Sequence, residues 1–313
     1  MTRVGVVFPG QGSQSVGMGG ALAERFPVVA DLFARARRVL GYDLGAVVRN
    51  GPEEALRETR YSQPAIFVVN YALAAAAGDA LTTVASAGHS FGEYCSLTLA
   101  SALTFEDALA LVQERAMAMQ AAAETAPGAM AAILGLDVAR IREAVAEARD
   151  TGRVQLANFN APAQIVISGD RDAVARAGEL ALTAGAKRVV PLNVSGAWHS
   201  ALMAPARERF APFVARATIA LPKFAVISNV DAQPYRDVAS IRRNLVRSVT
   251  EEVLWHAASE RLLGERLDLV VEFGGSPVLG PLMKRLPNAP PTMHVGDDKA
   301  VVALADRLTE GAA

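Results

Sequence analysis

This chain has almost no cysteine and no long apolar run, which excludes internal disulfide bonds and membrane spans. It contains a single cysteine, Cys95, in 313 residues, so no disulfide can form within the chain. No charged and then apolar leader opens it, and we expect a cytoplasmic protein. Its most apolar stretch, 64–77, includes Asn70 and is shorter than the roughly 20 residues that a membrane span needs. We therefore expect no membrane role, and we expect Cys95 to be a buried small side chain.

An excess of charge of either sign is also missing. The formal net charge is −1 at pH 7, so no global field attracts polyanions, and we expect no nucleic-acid partner. Hydrophobic residues make up 51% of the chain and charged residues 20%, which is typical of a well-packed globular protein. A chain of 313 residues can form one large domain or two modest ones.

A Gly-x-Ser-x-Gly motif occupies residues 88–92, between an apolar segment of small residues and a helix-forming segment. This is the setting of a nucleophile elbow. In such an elbow a serine on a sharp strand-to-helix turn exposes its hydroxyl, and the next backbone N–H faces a developing oxyanion. Ser90 is therefore a candidate nucleophile. A Gly-Ser-Gly turn that carries no chemistry is the alternative.

A serine nucleophile needs a base, and the chain contains only four histidines. His89 precedes the serine, and we expect its side chain to point away from that of Ser90. His256 falls in a helical run, and His294 ends a short apolar strand. His199 lies in a loop of small residues, where we expect the mouth of a cleft, so it is the candidate base. A purely structural histidine is the alternative at that position.

Short apolar runs alternate with longer helical ones, which predicts an α/β fold with a mainly parallel sheet. Between 128 and 194 the expected order is β-α-β-β-α-β, which is typical of a ferredoxin-like unit. The elements expected there are strands at 130–136, 154–157, 164–168 and 188–193 and helices at 138–148 and 171–184.

Two subdomains follow from this pattern. We expect a large α/β-hydrolase-like subdomain with a parallel sheet, formed by residues 1–127 and 195–313. A small ferredoxin-like subdomain, residues 128–194, would be inserted into it. The cleft between two such bodies is a common place for a ligand site. Because this architecture needs no partner to complete its core, we expect a monomer.

Several motifs occur in one order over nearly the whole chain. They are Phe8–Gln14, Gly88–Tyr94, Gln113–Gln120, Asn158–Gly169 and His199–Met203. Together they resemble the malonyl-CoA:acyl carrier protein transacylase family, which includes the acyltransferases that load polyketide synthases. The co-linear set is much more specific than the elbow alone.

The resemblance implies a covalent mechanism. Ser90 would attack the thioester of an acyl-CoA while His199 takes its proton, and the acyl group would then pass to the phosphopantetheine thiol of a carrier protein. Gln11 and Phe91 would supply the backbone N–H groups of the oxyanion hole. An ordinary glycine-rich turn is the alternative for Gln11. The resemblance implies no metal and no cofactor, because acyl-CoA is a substrate and the partner carries the phosphopantetheine.

Arg115 is the residue from which we predict an acyl group with a free carboxylate. In family members that accept carboxylated acyl groups, an arginine at this position holds the free carboxylate of malonate. A guanidinium meets a carboxylate in two parallel charge-assisted hydrogen bonds, which a lysine cannot reproduce. A solvated helix arginine is the alternative.

Two positions depart from the family pattern. Leu254 stands where members often have glutamine. The resemblance implies that the backbone carbonyl at this position accepts a hydrogen bond from the ring nitrogen of His199 that does not face Ser90. Asp231 is a fallback acid for orienting His199. Trp198 would either narrow the acyl pocket or wall a wider groove. We count Trp198, Leu254 and Asn160, which belongs to the fourth motif, as candidate substrate-binding residues.

The sequence therefore predicts an acyltransferase that moves a malonyl-type group from CoA to an acyl carrier protein or a polyketide synthase carrier domain. Polyketide or fatty acid biosynthesis would be its pathway. Two alternatives use the same fold: transfer of a larger or aminoacyl-type group between carrier proteins, and proofreading hydrolysis of acyl carrier proteins. A noncatalytic carrier-binding module is a third, against which Ser90, His199 and Gln11 argue.

Overall fold

The computed structural model describes residues 2–310. Its strands are β1 (Val4–Phe8), β2 (Thr83–Gly88), β3 (Ala129–Leu134), β4 (Val154–Ala161), β5 (Gln164–Gly169), β6 (Arg188–Pro191), β7 (Ala225–Ile227), β8 (Leu269–Phe273) and β9 (Thr292–Val295). Its α-helices are α1 (Leu22–Arg25), α2 (Pro27–Leu40), α3 (Leu44–Asn50), α4 (Glu53–Arg57), α5 (Thr59–Ala77), α6 (Gly92–Leu99), α7 (Phe105–Thr125), α8 (Val138–Ala148), α9 (Arg171–Thr183), α10 (Ala204–Arg216), α11 (Val238–Arg247), α12 (Trp255–Leu263), α13 (Leu279–Met283) and α14 (Asp298–Glu310). Short 3₁₀ helices cover Gly78–Ala80 and Ala201–Met203.

The larger sheet is parallel, with the strand order β7-β2-β1-β8-β9. Every residue of the central strand β1 is buried. Its alternate side chains face opposite ways: Val4, Val6 and Phe8 pack in the core that includes α5 and α7, whereas Val7 packs with α12 and α13. Helices thus cover both faces of the sheet, which is why β1 is an unbroken apolar run.

The second sheet is antiparallel, with the strand order β4-β5-β3-β6. Helices α8 and α9 pack on it around a separate apolar core that includes Ile133, Ile141 and Ile167. These elements form the β-α-β-β-α-β unit that the sequence predicts, and the α/β fold class is confirmed. The boundaries at 127/128 and 194/195 stay a prediction.

Strand β4 is the element that differs most from its prediction within this unit, because it continues past 157 to Ala161. A segment outside the unit stabilises the extension. The Val253 N–H donates to the Ala157 carbonyl at 2.8 Å, and the Phe159 N–H donates to the Val253 carbonyl at 2.9 Å. Asparagine is uncommon in strands, so the extension depends on its pairing with β5 on one side and with Val253 on the other.

The parallel sheet brings three loops to one edge. Strands β1, β2 and β7 are neighbours that run in the same direction, so the residues after each carboxyl end lie side by side. Gln11, Ser90 and Asn229 are in these loops. Among residues 2–310, we find no helix with the length and apolar character to cross a membrane.

Candidate active site

Ser90 occupies the sharp turn between β2 and α6. Its φ angle is 54°, in the left-handed region that serine rarely adopts. The glycines on either side permit the turn, since a Cβ at Gly88 would lie 2.0 Å from the carbonyl carbon of Gly92. A Cβ at Gly92 would in turn lie 2.4 Å from the Phe8 carbonyl oxygen. The chain therefore has the strand, turn and helix that the Gly-x-Ser-x-Gly motif predicts.

The imidazole of His199 lies beside the hydroxyl of Ser90. Ser90 Oγ and His199 Nε2 are 2.8 Å apart, and His199 is only 4% exposed. The other ring nitrogen, Nδ1, lies 2.8 Å from the Ser248 carbonyl oxygen and 3.2 Å from that of Glu251. Because carbonyl oxygens only accept hydrogen bonds, Nδ1 carries the proton, and Nε2 accepts the hydrogen bond from Ser90.

The protein keeps this imidazole neutral. Burial, followed by the positive charge of Arg115 and by His89, lowers the pKa of His199 from 6.5 to about 3, although the two carbonyl groups act in the opposite direction. At physiological pH the ring is therefore uncharged. A neutral imidazole with its proton on Nδ1 has the form that a general base needs.

The carbonyl groups that orient His199 are not the one that the sequence predicts. The Leu254 carbonyl instead accepts the Ala258 N–H at 2.9 Å, in the first turn of α12. The expectation that it orients His199 is therefore wrong. The Leu254 side chain packs against an apolar core and is not among the residues that line the cavity beside Ser90.

Asp231, the fallback orienting acid, caps a turn. Its Oδ1 accepts the Gln233 N–H at 3.2 Å, and its Oδ2 accepts a hydrogen bond from Asn244 Nδ2 at 2.8 Å. Both oxygens are thus engaged away from His199, and the orienting groups of this histidine are backbone carbonyls.

Arg115, on α7, is a fully buried guanidinium at 0% exposure. One terminal nitrogen donates to Gln63 Oε1 at 2.8 Å, and the other donates to Ser90 Oγ at 3.2 Å. Its Nε–H has no partner, and no carboxylate forms a salt bridge with it within residues 2–310. Burial lowers the pKa of this guanidinium, which nevertheless remains charged. A buried cation without an anion is costly, so this site is suited to an anionic ligand group.

Two backbone N–H groups near Ser90 are free. Over residues 2–310, neither the Gln11 N–H nor the Phe91 N–H donates a hydrogen bond. Gly10 lets the backbone before Gln11 pack against the elbow. A Cβ at Gly10 would lie only 2.7 Å from the His89 carbonyl oxygen. The Gln11 side chain turns toward Thr59 Oγ1, 3.3 Å away. This pair of donors has the composition that an oxyanion hole requires.

A cavity of about 280 Å³ opens at Ser90 between the two sheets. Its lining is largely apolar and includes Trp198, whose indole N–H has no partner within the described chain. The Trp198 ring packs over Gly196, where a Cβ would come within 2.6 Å of it. Asn160 also lines the cavity, and its Oδ1 lies 2.9 Å from His89 Nε2. The structure thus brings Trp198 and Asn160 to the site together with Ser90, His199 and Gln11.

The chain matches known proteins over almost all of its length. Residues 6–285 match the family model described as acyl transferase domain. The chain belongs to this acyl transferase family. It is an acyltransferase, and the family resemblance of the motifs is confirmed.

The curated relatives of this acyltransferase include malonyl CoA-acyl carrier protein transacylases and a polyketide biosynthesis protein. The malonyl CoA-acyl carrier protein transacylase of Salmonella typhimurium is 42% identical over 289 residues, covering 91% of this chain and 93% of that protein. The protein of the same name from Escherichia coli K12 is 40% identical over 307 residues, covering 97% of this chain and 99% of that protein. The polyketide biosynthesis protein ThaF of Burkholderia thailandensis is 42% identical over 282 residues, which form 90% of this chain but 24% of that protein.

Solved structures agree with these relatives. A malonyl-transacylase solved in complex with its type II polyketide synthase acyl carrier protein superposes with a TM-score of 0.93 at 38% identity, covering 98% of this chain and 100% of that chain. An acyl carrier protein S-malonyltransferase from Vibrio cholerae superposes with a TM-score of 0.92 at 39% identity, covering 97% and 100% of the two chains.

Sequence reasoning missed several residues of this acyltransferase. Gln63, Ser248, Glu251 and Asn229 contact Arg115, His199 or Ser90, yet each belongs to an element remote from the recognised motifs. A signal existed for Asn229 alone, since it follows a short apolar run at the end of a strand. Cys95 is buried as expected, and burial raises the pKa of its thiol well above the usual value.

Proposed function

We propose that this acyltransferase moves a malonyl group from CoA to the phosphopantetheine thiol of an acyl carrier protein, through an ester on Ser90. The relatives named malonyl CoA-acyl carrier protein transacylase support this reaction, because they align over nearly the full length of both chains. The malonyl-transacylase solved with its carrier protein supports the partner.

The observation that carries the proposal is the unneutralised guanidinium of Arg115 at the nucleophile. Its hydrogen bond to Ser90 Oγ spans 3.2 Å, so an acyl group bound at Ser90 can extend its far end to the guanidinium. A malonyl group ends in a carboxylate, which would supply the missing anion in charge-assisted hydrogen bonds. A simple fatty acyl group would leave the buried cation unpaired.

The first half-reaction forms the acyl-enzyme. Ser90 Oγ attacks the thioester carbonyl carbon while its proton passes to His199 Nε2. The carbonyl oxygen becomes an oxyanion that accepts hydrogen bonds from the backbone N–H groups of Gln11 and Phe91. When the C–S bond breaks, the sulfur of CoA leaves with the proton from His199. This leaves the malonyl ester on Ser90 and a neutral imidazole.

The second half-reaction runs the same steps with a new thiol. The phosphopantetheine thiol of the carrier protein gives its proton to His199 Nε2, and its sulfur attacks the ester carbonyl. The oxyanion is stabilised by the same two N–H groups. Collapse breaks the bond to Ser90 Oγ, which regains the proton from the imidazole. Neither half-reaction requires a metal.

The cavity walls set which acyl groups fit. We propose that Trp198 limits the width of the acyl site and that Asn160, through its hydrogen bond to His89, keeps the opposite wall in place. A methylene more or less in an apolar site changes the transition-state free energy by about 1–3 kcal/mol. Both residues therefore tune the acyl preference that Arg115 sets.

The biological setting that we propose is fatty acid or polyketide biosynthesis in the cytoplasm. The name of ThaF supports polyketide biosynthesis, and the acyl carrier protein in the names of the other relatives is compatible with either pathway. The carrier proteins that present phosphopantetheine arms would be the partners, and the enzyme would act as a monomer. A chain whose one cysteine is buried and free is compatible with a reducing compartment.

Intact-protein mass spectrometry tests the proposal. After brief mixing with malonyl-CoA, the wild type is expected to gain one malonyl group and Ser90→Ala none. A carrier protein bearing phosphopantetheine should then remove the adduct faster than water does. Faster loss to water would establish the proofreading hydrolase instead. An enzyme that is acylated by a carrier-bound or larger acyl group but not by malonyl-CoA would overturn the malonyl assignment.

A further inference from the structure

The left-handed conformation of Ser90 is held by one side chain, that of Asn229. Asn229 Oδ1 accepts the Ser90 N–H at 3.0 Å, and Asn229 Nδ2 donates to the Ser90 carbonyl at 2.9 Å. The backbone N–H and the backbone carbonyl of Ser90 thus both form hydrogen bonds with the side-chain amide of Asn229. A serine with φ near 54° is strained and persists only where its surroundings over-determine it.

The register of the parallel sheet explains why Asn229 reaches this turn. Strands β2 and β7 are hydrogen-bonded neighbours, and Ala87 pairs with Ile227. The chain leaves both strands at the same edge, so the residues just beyond these pairs lie next to each other. Ser90 and Asn229 follow within three residues of the last pair. The sheet therefore sets this contact between residues far apart in the chain.

Asn229 is itself held by a buried carboxylate. Glu93, in the first turn of α6, is 1% exposed, and Asn229 is 2% exposed. Glu93 Oε2 accepts the Asn229 backbone N–H at 3.2 Å and also accepts from Asn229 Nδ2, while Glu93 Oε1 accepts from the Tyr235 hydroxyl. The Asn229 carbonyl accepts the Leu254 N–H at 2.8 Å. Every polar group of Asn229 is thus engaged.

These contacts fix the orientation of the Asn229 amide. A rotated amide would direct its NH₂ at the Ser90 N–H, placing donor against donor. It would also direct its oxygen at the Ser90 carbonyl and at the Glu93 carboxylate, placing acceptor against acceptors. Glu93 therefore selects the one orientation that binds both backbone groups of Ser90.

We infer that Asn229 is a positioning residue for the reaction at Ser90, held in its active orientation by Glu93 and Tyr235. This role rests on the proposed function, since Asn229 performs no chemistry and fixes only the directions of Ser90 Oγ and of the Phe91 N–H. Rotation of the turn would move both groups away from His199 and from the oxyanion. A misplacement of about 1 Å costs on the order of 100-fold in rate.

Asn229→Ala tests the inference, and Asn244→Ala is the matched control. Asn244 is 1% exposed and supports the same loop through Ser228 Oγ at 3.1 Å and Asp231 Oδ2 at 2.8 Å, without a hydrogen bond to Ser90. Two single-turnover rates are measured for each variant beside its thermal stability. One is acylation by malonyl-CoA, and the other is modification by a fluorophosphonate, which reacts with an activated serine whatever the acyl preference.

For Asn229→Ala we expect both maximal rates to fall by about 100-fold, with the half-saturating malonyl-CoA concentration changed by less than about threefold. For Asn244→Ala we expect lower thermal stability and both rates within about threefold of the wild type. Equal losses of rate in the two variants at equal stability would overturn the inference. So would rates for Asn229→Ala that match those of the wild type.

Variants of Glu93 separate positioning from packing. Glu93→Gln keeps one oxygen for Asn229 and offers an NH₂ to the Tyr235 oxygen, so both rates should stay within about threefold of the wild type. Glu93→Leu removes both acceptors and should lower the rates as Asn229→Ala does. Equal rates for Glu93→Gln and Glu93→Leu would contradict the role of Glu93.

The two reactions also separate this inference from the proposed function. A wild type that is modified by the fluorophosphonate but not by malonyl-CoA would refute the proposed function. The fluorophosphonate rates of the variants would still test Asn229.

Discussion

The guanidinium of Arg115 donates a hydrogen bond to the hydroxyl oxygen of Ser90 across 3.2 Å. The same hydroxyl lies 2.8 Å from His199 Nε2, so it has a cation on one side and a base on the other. Within the described residues no carboxylate forms a salt bridge with Arg115. Ser90 and Arg115 therefore form one unit, in which the carboxylate of a malonyl group would complete the charge balance under the proposed function.

Arg115→Ala should reverse the preference for carboxylated acyl groups. We expect acylation by malonyl-CoA to fall by on the order of 100-fold, because two charge-assisted hydrogen bonds are lost. Acylation by acetyl-CoA should change far less, since an acetyl group ends in a methyl group and has no free carboxylate. Intact-mass time courses with the two donors measure this, with Arg38→Ala, an exposed helix arginine, as the control. Equal losses with both donors would assign Arg115 to the structure of the elbow instead.

The pH profile of acylation should lack an acid limb near 6.5. Burial, Arg115 and His89 lower the pKa of His199 to about 3, so its base form persists as the pH falls through 6.5. Single-turnover acylation between about pH 5 and pH 8 measures this. His256→Asn, in a half-buried helix position, should give the same profile. A rate that halves near pH 6.5 in both the wild type and Glu93→Gln would contradict the neutral state of His199.

Gly88→Ala should disrupt the elbow. The added Cβ would lie 2.0 Å from the Gly92 carbonyl carbon, and backbone must move to relieve this contact. We expect a loss of about 3 kcal/mol or more in the free energy of unfolding and a large loss of acylation. Gly41→Ala is the control, because its φ is 78° but no atom lies within 4 Å of the new Cβ. That change should cost about 1 kcal/mol and leave acylation intact, as denaturant unfolding and acylation rates will show.

Glu93→Gln should stabilise the protein at neutral and alkaline pH. Burial raises the pKa of Glu93 from 4.5 to about 7, so between these values the native state holds a proton that the unfolded state has released. For this group, stability therefore falls as the pH rises from 4.5 to about 7. The Tm of Glu93→Gln minus that of the wild type should increase across this window by on the order of a few degrees and then level off. A Tm difference that is constant with pH would show that Glu93 does not titrate there.

Local sequence predicted the fold and the chemical centre because these depend on short-range patterns. The apolar periodicity between 128 and 194 predicted the ferredoxin-like unit, and its elements lie within two residues of their expected ends apart from β4. The glycines at 88 and 92 predicted the elbow, since only a residue without a Cβ fits there. Such patterns, together with the family motifs, indicate Ser90, His199 and Arg115.

The tertiary structure alone decided which groups support that centre. The carbonyls of Ser248 and Glu251, rather than that of Leu254, meet His199, because the first turn of α12 uses the Leu254 carbonyl. Asn229 reaches Ser90 because β7 and β2 are neighbours in the sheet, across 139 residues of chain. Sequence thus determined the reactive side chains and their local turns, which follow from residue type and neighbours. Strand order and helix packing determined the supporting hydrogen bonds. The carbonyls of Ser248 and Glu251 carry no signal because backbone groups are the same in every residue, and the contact of the Asn229 side chain with Ser90 depends on a strand order that no local pattern encodes.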